Sequence, residues 1–251
     1  MKHIAESAKI GQNTKIGFNS IIEKNVKIGD NCLVGHNVVI HSGSKIGDTV
    51  RIDDNTIIGK KPLFSPRSIF KKDKFSSPTI GDECLIGANV IIYVGCEIGE
   101  KNLIADLSTV RENVEIGDLN IIGRNVSVEN YVKIGNRNKI ETNAYITAYS
   151  EIDDYCFIAP SVVTSNDNYM GRDKERYKHF KGIKIKRGGR IGVNATILPG
   201  ITIEEDGMVA GASVVSKDVP KEKIVLGSPA KEISQVDEKQ LLKNNLDSDK
   251  N

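Results

Sequence analysis

Residues 10–57 read IGQNTK, IGFNSI, IEKNVK, IGDNCL, VGHNVV, IHSGSK, IGDTVR and IDDNTI, eight hexads in one unbroken phase. Place one is Ile or Val throughout, place five is small or β-branched, and Gly or Asn recurs at places two and four. A strand alternates with period two and does not by itself impose a period of six, so each hexad is one short strand plus a corner. Apolar side chains at places one and five fill a narrow interior, while Gly and Asn tolerate the left-handed dihedrals of tight corners.

The same frame restarts at Ile80 and runs through fourteen hexads to Val163, then resumes at Ile185 for six more ending at Pro220. Three hexads close a triangular turn of 18 residues, so the 28 hexads predict about nine turns. At about 4.8 Å per turn this is a parallel β-coil on the order of 45 Å long. Cys32, Cys84, Cys96 and Cys156 each take place five, the position of a small core residue. They lack the clustered C-x-x-C spacing of a metal site or redox pair, and no metal centre is expected.

Composition agrees. Aromatic residues make up 5% of the 251, and Trp is absent. With 35 Lys plus Arg against 33 Asp plus Glu, the chain carries no field suited to a nucleic acid or an anionic membrane. The opening MKHIAESAKIGQN lacks the apolar stretch of a signal peptide, and nowhere do 18 apolar residues run together. A cytoplasmic protein is expected.

An insertion cannot enter a packed coil and must project from a corner, where function commonly resides. The expected organisation is a coil over 1–232 with projecting loops at 59–79 and 164–184. A short amphipathic C-terminal helix and a disordered tail follow over 233–251. The first loop carries KKPLFSPRSIFKKDKF, whose lysines, Arg67 and phenylalanines such as Phe64 could hold a pyrophosphate and stack on a base. The same phenylalanines could instead pack the loop on a neighbouring subunit. The second loop opens with Ser165, Asn166, Asp167 and Asn168.

With ETNAYITAYS at 141–150, SNDNYMGR at 165–172, ILPG at 197–200 and LGSPAK at 226–231, the chain resembles the hexapeptide-repeat acyltransferases. It is most similar to the bacterial N-acetyltransferases of nucleotide-linked amino sugars, in particular the dTDP-3-amino-3,6-dideoxyhexose 3-N-acetyltransferase type. The resemblance covers nearly the whole chain. It implies an all-β, left-handed parallel β-helix, a homotrimer with acetyl-CoA bound between adjacent prisms, and a role in lipopolysaccharide or S-layer glycan biosynthesis. It further implies that Arg187, Gly211, Lys217, Pro229 and Lys231 meet coenzyme A.

Transfer of acetyl from a thioester to an amine needs a neutral amine, a proton acceptor and donors for the oxyanion. A spacing of 18 returns to the same face one turn later, so Glu112 lies below Asn130, and Arg111 below Glu129. Asp106 is one corner away, and Glu141 and Asn143 share its face. Glu112, with Asn130 or Asp106, is therefore the expected grip on the amine. Arg111, Glu141, Asn143, Asn166, Asp167, Asn168, Phe64 and Arg67 are the expected substrate contacts. Equally, Arg111 paired to Glu112 or Glu129 would be a surface ladder with no catalytic part.

His36 and His41, in VGHNVVIHSG, carry the rival enzyme reading, since lipid A acyltransferases of this fold use a histidine base and an acyl-carrier-protein donor. A zinc enzyme of the same fold would have to draw three ligands from His3, His36, His41 and His179. A non-catalytic scaffold built on the coil is the third alternative.

Overall fold

A computed structural model describes residues 3–66 and 74–246. The chain divides into two compact units, Met1–Tyr131 and Val132–Asn251. Both are parallel β-coils of two-residue strands joined by corners, as the hexads require.

In the first unit, strands separated by three in sequence pair in register. One column reads Ile4, Ile22, Ile40, Ile58, Ile92, Val110 and Val128. The interval is 18 residues except from Ile58 to Ile92, where the loop lengthens it to 34 without changing the phase. In the second unit the columns are Ile134, Ile152, Ile185, Ile203 and Ile140, Ile158, Ile191, Val209, Val225. No helix among the described residues is long and apolar enough to cross a membrane.

Over both units the three sheet positions carry 11, 10 and 12 strands, so about nine turns is an undercount. The missed strands are His3–Ile4, Ile57–Lys60, Val163–Thr164 and Lys223–Gly227. They lie at the ends of the coil or where the loops leave it, and there the hexad pattern degenerates. The expected C-terminal helix is also replaced. Ala230–Gln235 pairs antiparallel with Lys223–Gly227, and two 3-10 turns follow at Glu238–Gln240 and Leu242–Asn244. Val236 and Leu241 supply the buried contacts of this cap. The expected disordered tail, 247–251, lies outside the described residues.

Place one is buried almost throughout, and so is place five. Small polar residues at place five donate to a carbonyl of the next turn. Examples are Thr14 to Gly29 O at 2.7 Å, Ser20 to Gly35 O at 2.8 Å and Cys32 to Gly47 O at 3.1 Å. All four cysteines are free and buried, and burial pushes Cys96 and Cys156 up to about 12.

The corner residues divide into two classes that the sequence alone merges. Place four holds the left-handed conformation, at Asn13, Asn19, Asn25 and onward with φ near 58°. Glycine at place two has a different reason. A Cβ on Gly29 would collide with Asp48 Oδ1 and the backbone of Gly47. That carboxylate accepts the Asp30 N–H at 2.7 Å, and Asp30, Asp54, Asp82, Asp106, Asp118 and Asp154 accept in the same way. Glycine at place two thus makes room for an aspartate one turn on. Gly29→Ala is expected to lower stability by about 1–3 kcal/mol, because it displaces the Asp48 carboxylate and crowds backbone. A urea midpoint at unchanged slope measures it.

Candidate functional site

At two of the three corners in the first unit place two is mostly glycine, Gly11, Gly29, Gly47, Gly81, Gly99 and Gly117 on one and Gly17, Gly35, Gly87 and Gly123 on the next, where Asp53 and Ala105 are the exceptions. The aspartate lies against Gly11, Gly29, Gly35, Gly47, Gly87 and Gly99. The third departs from it. Its place-two residues are Glu23, His41, Gly59, Tyr93, Arg111 and Glu129, followed at place three by Lys24, Ser42, Lys60, Val94, Glu112 and Asn130. With no aspartate ladder to accommodate, this corner carries large polar and aromatic side chains. The first loop leaves from it at Gly59, whose φ of 83° turns the chain outward.

At the upper end, Glu23 accepts from the Ser42 hydroxyl at 2.7 Å and the Ser42 N–H at 2.9 Å, and meets His41 Nδ1 at 3.1 Å. The Ser42 hydroxyl, then its backbone N–H and His41, hold the Glu23 carboxyl below its ordinary range against the opposing effect of burial. An ionised Glu23 fixes the imidazole as the Nδ1–H tautomer and leaves Nε2 as the basic nitrogen. His41 is 37% exposed, so that nitrogen is reachable. It lines a cleft of about 580 Å³ with Lys60, Lys61, Phe75 and Ser76. Phe75 stacks on Phe64 at 6.4 Å, and Ser77 ties the returning loop to Ser42 O at 3.1 Å. Arg67 lies outside the described residues.

At the lower end, Arg111 holds Glu112 bidentately, Nε to Oε2 at 2.9 Å and Nη2 to Oε1 at 3.1 Å, and reaches Glu129 at 3.5 Å. The guanidinium lies 5.0 Å over the Tyr93 ring, and Lys60 Nζ lies 6.0 Å from the same ring. Glu112 is 3% exposed with both oxygens occupied, which places it as a partner of Arg111 rather than a free grip on an amine. Burial raises Glu129 above its ordinary range, with Arg111 opposing and Glu112 adding to the rise. Asn130 is buried, and its Nδ2 meets no acceptor among the described residues. Asp106 accepts the Ala88 N–H at 2.9 Å and so belongs to the aspartate ladder. His36 also serves a corner, accepting the Phe18 N–H at 2.8 Å and stacking on Phe18.

In the second unit, Asp167 closes its own loop. It accepts from Tyr169 N at 2.8 Å, Gly171 N at 3.0 Å and Arg176 at 2.9 Å. Burial would raise its pKa, but these donors lower it on balance. Asn166 offers its carbonyl to Lys181, Asn168 is exposed, and Glu141 is half-buried. Asn143 holds a place-four corner with φ 63°. Lys217, Pro229 and Lys231 are exposed, Gly211 is half-buried, and Arg187 stacks over Tyr155 at 5.2 Å.

Glu23 stands 18 residues before its partner His41, the same spacing that relates Glu112 to Asn130. That arithmetic, and the missing glycines, were the available signals.

Residues 7–42 match the family model of the bacterial transferase hexapeptide, six repeats, and residues 25–60 and 79–105 that of the hexapeptide repeat of succinyl-transferase. A 2,3,4,5-tetrahydropyridine-2,6-dicarboxylate N-acetyltransferase of Clostridium perfringens is 53% identical over 49 residues, 20% of this chain and 21% of the relative. The match therefore spans about a fifth of the relative's length. Among solved structures, a UDP-N-acetylglucosamine acyltransferase of Bacteroides fragilis superimposes with TM-score 0.54 at 23% identity, covering 93% of this chain and 72% of that one. The Arabidopsis UDP-N-acetylglucosamine acyltransferase gives 0.55 at 18% identity, with 99% and 75% covered.

Proposed function

The chain carries the repeats of the bacterial transferase hexapeptide family, and on that premise we propose that it is an acyltransferase moving an acyl group from a thioester to a nucleotide-linked sugar. The observation that carries this reading is His41, oriented by Glu23 on the wall of a cleft lined by Lys60, Lys61 and Phe75, the last stacked on Phe64. His41 Nε2 takes the proton of the attacking group as it adds to the thioester carbonyl. The thiol leaves as the tetrahedral intermediate collapses. The lysines meet the pyrophosphate and the phenylalanines the base.

In its finer form the donor is acetyl-CoA and the acceptor an amino group, which the resemblance and the N-acetyltransferase relative support. Coenzyme A contacts remain assigned to Arg187, Gly211, Lys217, Pro229 and Lys231. A second reading has a specific observation in its favour. A sugar hydroxyl needs a base far more than an amine does, and the Glu23–His41 pair supplies one, so a hydroxyl acceptor with a carrier-protein donor is the alternative. Thiol release separates the two, using acetyl-CoA or acyl carrier protein against dTDP- and UDP-linked sugars with amino or hydroxyl groups. Silence with every donor and acceptor would leave a scaffold.

We also assign the first unit a homotrimeric partner surface. One outer sheet face presents Ile21, Val39, Ile57 and Ile91 in register, a second presents Leu33, Arg51, Leu85, Leu103 and Ile121, apolar but for Arg51, whereas the third presents Lys9, Lys27, Lys45, Thr79, Glu97 and Glu115. Leu85 is 48% exposed in the isolated chain. Leu85→Glu is expected to convert a trimer to monomer in light scattering, and a wild-type monomer would overturn the assignment.

A further inference from the structure

The second unit contains a half-buried cation that the proposed chemistry does not use. Arg190 projects outward from the strand Arg190–Ile191, and its Nη1 donates to Gln240 Oε1 of the C-terminal cap at 3.3 Å. Its Nε and Nη2 are buried and meet no acceptor among the described residues. Burying a guanidinium with two idle donors is costly, and such a group calls for an acceptor from outside the chain.

Arg190 lines a cavity of about 300 Å³ between the coil and the cap, together with Tyr155, Asp206, Lys239 and Leu242. Lys239 brings a second positive charge. Arg137 and Arg187 lie 5.8 and 5.2 Å from the Tyr155 ring and add positive charge beside the cavity, while Glu222 acts on Asp206 with the opposite sign. Asp206 is the one carboxylate lining the cavity. Its Oδ1 accepts the Leu242 N–H at 3.0 Å, and burial raises its pKa against the opposing pull of that bond and of the Arg190 charge, so it offsets part of that charge without accepting from Nε or Nη2.

We propose that this cavity binds a phosphate group, two of whose oxygens accept from Arg190 Nε and Nη2 while Lys239 balances the second charge. The planar guanidinium fork matches two oxygens of a tetrahedral anion, and two cations suit a dianion better than a single carboxylate. The cap that covers the cavity would then be held to the coil through the ligand as well as through Gln240.

Calorimetric titration of the full chain with inorganic phosphate, and separately with adenosine monophosphate, tests the site in chloride buffer of matched ionic strength. Saturable binding is expected to at least one of them. Arg190→Gln should weaken it by about tenfold or more, and Lys239→Ala, on the exposed cap, by a smaller factor. Tighter binding of the nucleotide would identify a phosphate monoester as the source, and equal or weaker binding the free ion. Absence of saturation in wild type, or unchanged affinity in folded Arg190→Gln, overturns the proposal. Should Arg190→Gln fail to fold, an unchanged affinity in Lys239→Ala together with no phosphate-dependent rise in wild-type Tm overturns it equally. The readout is binding, so its outcome is independent of acyl transfer.

Discussion

His41→Ala is expected to lower kcat/KM for acyl transfer by about 10²–10⁴-fold while leaving the fold intact. The His41 side chain is 37% exposed and its one polar partner among the described residues is Glu23, itself 38% exposed, so truncation leaves no buried charge unpaired. The effect should therefore fall on rate and not on the urea midpoint. Glu23→Gln keeps the shape but offers an amide where a carboxylate anchored Nδ1–H, and a smaller loss is expected. Glu23 has a lowered folded pKa. Its contribution to stability is thus present above the unfolded carboxylate pKa and lost as pH falls through the folded value. A His41→Ala rate within threefold of wild type, measured where the wild type turns over, would remove His41 from the chemistry.

The coil was readable because its cause is repeated. Each buried Ile or Val at place one answers the same narrow interior, so one hexad predicts the next. Prediction weakened wherever the repeat is singular. Thr164 occupies a place-one position with a polar side chain, and Lys223–Gly227 ends the parallel series in a hairpin, so periodicity passed over both. The cap shows the same limit: apolar residues at helical spacing over 233–246 are used as an edge strand and two 3-10 turns, because Lys223–Gly227 offers an unpaired edge. At the site, the spacing of 18 gives which residues share a corner but not which neighbour each will bond. Arg111 and Glu112 are adjacent in sequence. In a strand they would face opposite ways, yet at a corner both point outward and close a bidentate pair. Asp106 looked free for chemistry until the ladder it belongs to was visible.

The second large effect concerns that pair. Glu112 is 3% exposed and both its oxygens are held by Arg111, which is itself 30% exposed. Glu112→Ala strands a half-buried guanidinium and should cost about 3–5 kcal/mol, toward the lower end because Glu129 remains beside it. Loss of activity in that variant alone cannot distinguish a catalytic carboxylate from a collapsed corner. The double substitution Arg111→Met with Glu112→Leu can. Replacing both charges with apolar groups of similar volume removes the Arg111–Glu112 pair together and leaves only Glu129 without its cation, so most of the stability lost in Glu112→Ala should return. In the double variant Glu129 loses both the Arg111 charge that lowers its pKa and the Glu112 charge that raises it, and burial remains as the cause that holds it above its ordinary range. A group whose folded pKa is raised contributes stability present below the unfolded pKa and lost as pH rises through the folded value, so the double variant should be most stable on the acid side. If the corner is structural, the folded double variant keeps acyl transfer within about tenfold of wild type. If Glu112 receives the amine proton, the double variant folds and is inactive, and the base moves from His41 back to the Arg111 end of the same corner.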